Sequence, residues 1–416
     1  MSHELQSGHT VQLLQGGTAF FPALIQAVDR SQREVRLETF IFDFEAAGFR
    51  VAEALERAAA RGVAVYVLMD GIGTLAVPTV WQQRFDAAGV QWHRFSPLGP
   101  AGLLNPVRWR RLHRKLCVVD QSLAFCGGIN MVDDWIEPGQ CALDAPRYDF
   151  ALRLRGPLVV DILRSMTQLW RRLQMTQELS QGQFKLAGRV WQQGKGPTMP
   201  ETAKQFQHLD GVDHPLDLVG PVAHSGVHAA LLLRDNLRNR ARIERAYRQA
   251  IGSARHEIII ANAYFLPGRR LRQALFHARR RGVRVQLLLQ GRYDNFMQFH
   301  ASRPVMASLL AAGIEVYEYS ESLLHAKVAV IDGEWATVGS SNLDPLSLLL
   351  AREANVVWSH APLAVELRSH LLHTIEHSAT HLDATRLSQR TVWHRALDQL
   401  AFALMRTMLF MTGFSY

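Results

Sequence analysis

Lysine is scarce in this chain. Of its 46 basic residues only five are lysines (Lys115, Lys185, Lys195, Lys204 and Lys327), and the rest are arginines. An ammonium is a compact point charge and a guanidinium a planar fork, so a retained lysine singles out a position to test for a need of the compact charge. Cysteine is scarcer still, at Cys117, Cys126 and Cys141. An odd count without regular spacing excludes a disulfide framework and a cysteine-based zinc site, and fits a reducing compartment. No stretch reaches the roughly 18 uncharged apolar residues that a spanning helix needs. The nearest one, at the C-terminus, is interrupted by Asp398 and Arg406. Residues 1–15 lack a basic region followed by an apolar core, so no signal peptide is expected. The chain also lacks a P-loop, an HExxH motif and an acidic metal cluster. Scattered histidines such as His224, His228 and His370 read as surface or core residues and not as ligands. Neither a metal nor another cofactor is expected.

What is present is the balance of a folded protein: 416 residues, 48% hydrophobic and 20% charged. At roughly 150 residues per domain this is two to three domains or one duplicated unit. The net charge of +9 points to an anionic partner: nucleic acid, an acidic membrane surface or a phosphorylated substrate.

Duplication is visible directly. The first half runs EVRLETFIF (34–42), AAARGVAVYVLMDG (58–71), DAAGVQWHRF (86–95) and LHRKLCVVD (112–120). The second runs EIIIANAYF (257–265), HARRRGVRVQLLLQG (277–291), LAAGIEVYEY (310–319) and LLHAKVAVID (323–332). The matches keep their order, and their drifting offset locates an insertion in the first half between Pro97 and Arg111. Continuous apolar runs (Val63–Leu68, Val283–Leu289, Lys327–Ile331) read as strands of a sheet covered on both faces. Phe49–Arg61, Arg240–Gly252, Arg269–Arg281 and Arg303–Ala312 read as helices between them. The alternation predicts an α/β fold of two pseudo-symmetric sandwich domains. The expected division is a first half at 1–180, a connection at 181–228, a second half at 229–385 and a C-terminal amphipathic helix at 386–416. On a helical wheel Thr391, Arg395, Asp398, Gln399 and Arg406 form a polar stripe, with apolar residues around the rest. Two readings stay open for that helix, a core-packing one and one lying in a membrane surface.

Both halves carry His-x-Lys-x4-Asp: His113, Lys115 and Asp120, then His325, Lys327 and Asp332. In each, an Asn follows in a turn of small residues, Asn130 after Gly127-Gly128-Ile129 and Asn342 after Gly339-Ser340-Ser341. A His and a Lys two apart on a strand face the same way. Each motif therefore pairs a nucleophile or proton carrier with a fixed positive charge. The small-residue turn adds an amide and room for backbone to approach an anion. Two copies facing each other would place imidazoles on opposite sides of one phosphorus and ammonium groups on its oxygens, as in-line displacement requires.

On these motifs the chain resembles the phospholipase D superfamily, over nearly its whole length. Within the superfamily it is most similar to bacterial cardiolipin synthases of the short type without N-terminal transmembrane helices. The segments IIIANAYFLPG (258–268), LLHAKVAVIDGEWATVGSSNLDPLS (323–347) and EANVV (353–357) carry that closer similarity. The resemblance implies two α/β/α sandwiches with one active site at their junction. It implies a catalytic set of His113, Lys115, Asp120, His325, Lys327 and Asp332, in which one histidine forms a phosphohistidine and the other moves protons. His113 is the expected nucleophile and His325 the acid/base. Lys115, Lys327, Asn130 and Asn342 would hold the phosphoryl oxygens, and Asp120 and Asp332 would support the strand-loop structure. A later carboxylate would orient each imidazole, with Glu353 and Asp149 as candidates. The chain departs from many members at Leu346, where they have Arg, and at Ala351, where they have Asn.

The superfamily contains phospholipases, phosphatidyl transferases and nucleases, and the motif does not choose among them. An Arg/Trp cluster (Arg108, Trp109, Arg110, Arg111) precedes His113 and suits anionic headgroups at an interface. The run Arg279, Arg280, Arg281 and Arg284 is compatible with nucleic-acid phosphates but reads as a solvated helix end, and no nucleic-acid module is present. The expected activity is transfer of a phosphatidyl group from one phosphatidylglycerol to another, releasing glycerol. The alternatives are phospholipase D hydrolysis and a metal-independent phosphodiesterase or nuclease. The expected partners are an anionic phospholipid and a membrane surface, with no nucleic acid. The expected location is peripheral, on the cytoplasmic side of the bacterial inner membrane.

Overall fold

The computed structural model describes residues 4–98, 102, 109–137, 142–180, 221–235, 239–292, 296–344, 351–383 and 392–411. The strands of the first half are β1 (Gln6–Gln15), β2 (Glu34–Thr39), β3 (Ala64–Asp70), β4 (Gln91–Phe95), β5 (Arg111–Leu112), β6 (Lys115–Val119), β7 (Leu123–Gly127) and β8 (Phe150–Arg155). Its helices are α1 (Gly16–Asp29), α2 (Ala46–Ala60), α3 (Thr79–Ala88) and α4 (Leu158–Ser180). The second half adds strands β9 (Ala223–Arg234), β10 (Glu257–Asn262), β11 (Arg284–Gln290), β12 (Glu315–Tyr319), β13 (Lys327–Ile331), β14 (Trp335–Gly339), β15 (Ala351–Ser359) and β16 (Ala379–Leu382). Its helices are α5 (Arg242–Ser253), α6 (Arg269–Arg280), α7 (Phe296–Ala311), α8 (Ala361–His377) and α9 (Val392–Met411). The strand β9 begins at Ala223, inside the stretch expected to be connection.

Strand order makes the duplication plain. From β1 outward the first half reads β1-β8-β7-β6-β2-β3-β4, and from β9 outward the second reads β9-β15-β14-β13-β10-β11-β12, with β16 added at its edge. The halves join where β1 pairs antiparallel with β9, through a register broken between Gln6 and Val11. Such bulges bend and twist a ladder. The half-sheets share a central core formed by Leu116, Val118, Phe150 and Leu152 of one half with Val328, Val330, Val356 and Trp358 of the other, closed by α4 and α8. The outer face of the first half packs on α1 and α2, and that of the second on α5, α6 and α7. Both faces of β6 and β13 are therefore covered, which is why all five residues of each are buried and why each strand reads as an unbroken apolar run after its lysine.

The shared Arg-Gly-Val signal is a helix stop. Gly62 and Gly282 both take φ +89°. Gly62 N–H donates to Ala59 and Val63 N–H to Ala58, and the same bonds run from Gly282 to Arg279 and from Val283 to Ala278. This left-handed cap satisfies the last helical carbonyls and suits glycine. It delivers the chain into β3 and β11.

The C-terminal helix corrects the helical-wheel expectation. Asp398, placed in the polar stripe, is buried and lies 2.6 Å from His300 Nδ1 on α7. Trp393 (86% exposed), Leu400 and Leu404 face outward instead. An imidazole partner on α7 makes an inward carboxylate acceptable. Among the described residues no helix is long and apolar enough to cross a membrane.

Candidate active site

His113 precedes β6 and His325 precedes β13. Each is fixed by the other half. His113 N–H donates to Arg352 O (3.0 Å), and β5 just before it pairs in parallel with β15. At the equivalent place His325 N–H donates to Tyr148 O (2.9 Å), and Leu324 bridges Tyr148 in parallel. The turns leading in are held alike. Asp70, at the end of β3, accepts from Leu112 N–H (2.7 Å), and Gln290, at the end of β11, accepts from Leu324 N–H (3.1 Å). Sequence reading passed over this pair, although Asp70-Gly71 and Gln290-Gly291 stand at matching ends of the repeat.

The imidazole partners cross between halves. His113 Nδ1 lies 3.1 Å from Oε2 and 3.0 Å from Oε1 of Glu353. His325 Nδ1 lies 2.6 Å from Oδ2 of Asp149. Each carboxylate stands beside the small-residue turn of its own half and reaches the histidine of the other. Ser340 Oγ donates to Glu353. At Ser340's counterpart, Gly128, a Cβ would come within 2.2 Å of Asp149 Oδ1, so a side chain there would displace the carboxylate. The turns were singled out in the sequence, but these separate duties of Gly128 and Ser340 were not.

The two lysines are buried behind the histidines. Lys115 Nζ donates to His113 O (2.7 Å) and Lys327 Nζ to His325 O. Burial pushes the ammonium of Lys115 down to about 7 and that of Lys327 to about 8, against the pull of Glu353 and Asp149. Burial also holds both imidazoles below their usual value, His325 well below it. The carboxylates diverge. Burial raises Asp149 to about 7, and Lys327 only partly opposes it. Burial acts on Glu353 in the same sense, but His113, Lys115 and the Ser340 hydroxyl outweigh it and hold Glu353 below the usual carboxylate range.

His113, His325 and Asn130 line one pocket of about 240 Å³, together with Phe40, Ile41, Val132, Glu137, Arg147, Tyr264, Gln290, Leu323 and Leu324. Asn130 Oδ1 accepts from Ile41 N–H (3.2 Å). Asn342 is buried at the equivalent turn and does not line that pocket. Asp120 and Asp332 do not line the pocket. Asp120 accepts from the N–H groups of Gln32, Arg33 and Glu34, and Asp332 from those of Arg255, His256 and Glu257. Each sits at the far end of its strand from the lysine, at φ +48° and +53°, where it ties the turn to the start of β2 or β10. The strand rise of about 3.3 Å per residue carries it away from the chemistry.

Several expected surface cations are taken up within the protein. Arg111 pairs with Asp70 (3.0 Å) and turns inward from the Arg/Trp cluster, while Trp109 is exposed and Arg108 lies outside the described residues. Arg281 donates to Ile251 O and Ala254 O, Arg279 to Gly313 O, and Arg284 forks onto Glu315. Leu346 also lies outside the described residues, and Ala351 is buried at the start of β15. Among the described residues no cluster of three or more His, Cys, Asp or Glu has the arrangement of a metal site.

A duplicated sheet whose two crossed histidines line one pocket, each paired with a carboxylate of the other half and backed by a buried lysine, defines a phospholipase D-like protein. The chain belongs to the family described as cardiolipin synthase, PLD-like domain, which residues 24–136 and 247–375 match. It is 36% identical over 402 residues to cardiolipin synthase B of Salmonella typhi, covering 96% of this chain and 89% of that one. It is 28% identical to a cardiolipin synthase of Geobacillus thermodenitrificans, with 96% and 72% covered. Its fold is also that of the phosphatidylserine synthase of Haemophilus influenzae Rd KW20, at a TM-score of 0.65 and 11% identity, covering 98% of this chain and 95% of that one.

Proposed function

We propose that this chain is a phosphatidyltransferase that makes cardiolipin from two phosphatidylglycerol molecules. The crossed pairs, His113–Glu353 and His325–Asp149 on one pocket, carry the reading, and the family supports the lipid chemistry. In the first step His113 Nε2 attacks phosphorus, the P–N bond forms, the P–O bond to glycerol breaks, and His325 gives its proton to the leaving alkoxide. In the second step a hydroxyl of another phosphatidylglycerol gives its proton to His325 and attacks phosphorus. A P–O bond forms and His113 is released. Lys115, Lys327, Asn130 and Asn342 are the residues suited to the phosphoryl oxygens.

The divergent carboxylates support this assignment. An N-phosphorylated imidazole keeps its Nδ1 proton and gains positive character, which an ionised Glu353 stabilises. A group that must give and take a proton is served by a pair in which burial raises the carboxyl of Asp149 and lowers the imidazole of His325. Trp393, Leu400 and Leu404 on α9, and Trp109 just before β5, are exposed and suited to an interface. They support peripheral binding to a membrane surface, and the location proposed with it is the cytoplasmic face of the bacterial inner membrane.

The test is lipid mass spectrometry after incubating the protein with phosphatidylglycerol vesicles in EDTA, with His113→Ala as control and a plasmid-nicking assay alongside. Cardiolipin and glycerol, absent with the variant, are expected. Phosphatidic acid alone would make the enzyme a hydrolase, and a cut plasmid with intact lipid would make it a nuclease.

A further inference from the structure

The pocket is not symmetric. Arg147 lines it on the His325 side. Its position precedes Tyr148, which accepts from His325 N–H, so its pseudo-symmetric counterpart is the residue before Arg352, the buried Ala351. One side of the reaction centre thus carries a guanidinium where the other carries a methyl group. Arg147 is held by neutral partners: Nη1 donates to Asp133 O (3.3 Å) and Nη2 to Ile136 O (3.1 Å). The nearby carboxylates take their hydrogen bonds from other groups, while the charge of Arg147 acts on buried Asp134 and partly offsets the rise that burial causes there. Asp133 Oδ1 accepts from Trp135 N–H and Asp134 Oδ2 from Gly17 N–H. Among the described residues Arg147 has no carboxylate within ion-pair distance, and Glu137 is the acid that shares its pocket wall. A cation positioned by backbone carbonyls at a pocket wall is directed at an anion that comes with the ligand.

The reaction proposed above supplies such an anion, and this inference rests on that reading. A phosphatidylglycerol that acts as acceptor brings its own phosphodiester, three carbons from the attacking hydroxyl, and this phosphate does not react. With His113 as nucleophile, the acceptor hydroxyl approaches from the His325 side, opposite the P–N bond that breaks. We propose that Arg147 binds the non-reacting phosphate of the acceptor lipid and so selects a phospholipid over water or a simple alcohol as acceptor. The two lysines serve the phosphorus being transferred, and Arg147 serves the one that stays intact. Glu137 on the same wall is suited to accept from the second glycerol hydroxyl.

The test compares two acceptors on one donor. Full-length protein is given phosphatidylglycerol vesicles with isotope-labelled glycerol. Cardiolipin reports transfer to a lipid, and labelled phosphatidylglycerol reports transfer to an alcohol without phosphate. Arg147→Gln should lower cardiolipin formation by about tenfold to a hundredfold, the worth of charge-assisted hydrogen bonds to phosphate, with glycerol exchange changed by about twofold or less. Arg147→Lys, which keeps the charge, should recover part of the cardiolipin signal. Equal loss of both products in Arg147→Gln, no loss of either, or no advantage of Lys over Gln would overturn the inference and leave phosphatidyl transfer standing. Wild-type protein that forms neither product would overturn the transfer reading itself.

Discussion

At the end of β14, Ser340 Oγ donates to Glu353, and the longer carboxylate crosses to His113. At the end of β7, Gly128 leaves its space to Asp149, and the shorter carboxylate crosses to His325 at 2.6 Å. A hydroxyl with a glutamate in one half and an empty Cα with an aspartate in the other perform the same positioning. The electrostatic results differ: Glu353 is held low and Asp149 is raised to about 7. The same contrast recurs behind the histidines. Arg114 and Glu38 form a buried bidentate pair, with Arg114 also on Ser165 of α4, where the second half has the buried alanines Ala326 and Ala261. The two halves keep one frame for the site and differ in the partners and electrostatics set within it.

The sharpest way to break this comparison is to remove each histidine. His113→Ala should abolish both turnover and the acid-labile phosphoryl-enzyme. His325→Ala should lower cardiolipin formation on the order of 10²–10⁴-fold while still accumulating labelled enzyme from a substrate with a good leaving group. Label that persists in His113→Ala and vanishes in His325→Ala would reverse the two roles.

Next in size are the crossed carboxylates. Glu353→Gln should lower kcat on the order of 10²–10⁴-fold, through the wrong tautomer at His113. Asp149→Asn should slow the proton-transfer steps and flatten the pH profile, leaving rapid-quench labelling of His113 less affected. Equal losses in labelling would show that the sides are not specialised.

The turns should respond unequally. Gly128→Ala forces Asp149 off His325 and should cost about a hundredfold, the usual result of misplacing a reacting group by an ångström. Ser340→Ala removes one charge-assisted hydrogen bond and should cost about tenfold. Steady-state rates on matched vesicles decide, and a larger loss at Ser340 would invert the comparison.

The lysines give a smaller effect with opposite signs in activity and stability. As pH rises past about 7 and then 8, Lys115 and Lys327 lose their charge in the free enzyme, so kcat/KM should fall. Their values lie below the ordinary 10.5, so the folded state binds fewer protons than the unfolded chain between about 7 and 10.5. Stability from these groups therefore rises across that window. Denaturant midpoints and kcat/KM profiles that fall together would contradict this.

The smallest functional effect is expected at the buried ion pair. Glu38→Leu alone should destabilise the fold by about 3–5 kcal/mol because Arg114 is left as an uncompensated charge. Adding Arg114→Met, which makes this half apolar like the other, should restore much of that loss. Thermal denaturation of the single and double variants checks it.

Much of this protein is readable one strand or helix at a time. The repeat order, the Gly62 and Gly282 helix stops, the buried strands β6 and β13 and the two His-x-Lys motifs depend on local spacing, where side-chain direction follows from backbone period. Glu353 and Asp149 were also legible as candidates, through their place after each motif. Which histidine each one serves was not, because Glu353 and His113 are 240 residues apart and meet only when the half-sheets face each other. For the same reason Asp120 and Asp332 share a motif with the histidines yet serve a turn at the other end of the strand, and Asp398 counts as polar on a wheel yet packs inward onto His300. Sequence by itself determined the two frames and the chemistry each could offer. Tertiary structure decided the pairing across the junction, because proximity there follows from the antiparallel joining of β1 and β9 and from the core buried between the halves, neither of which any single segment encodes.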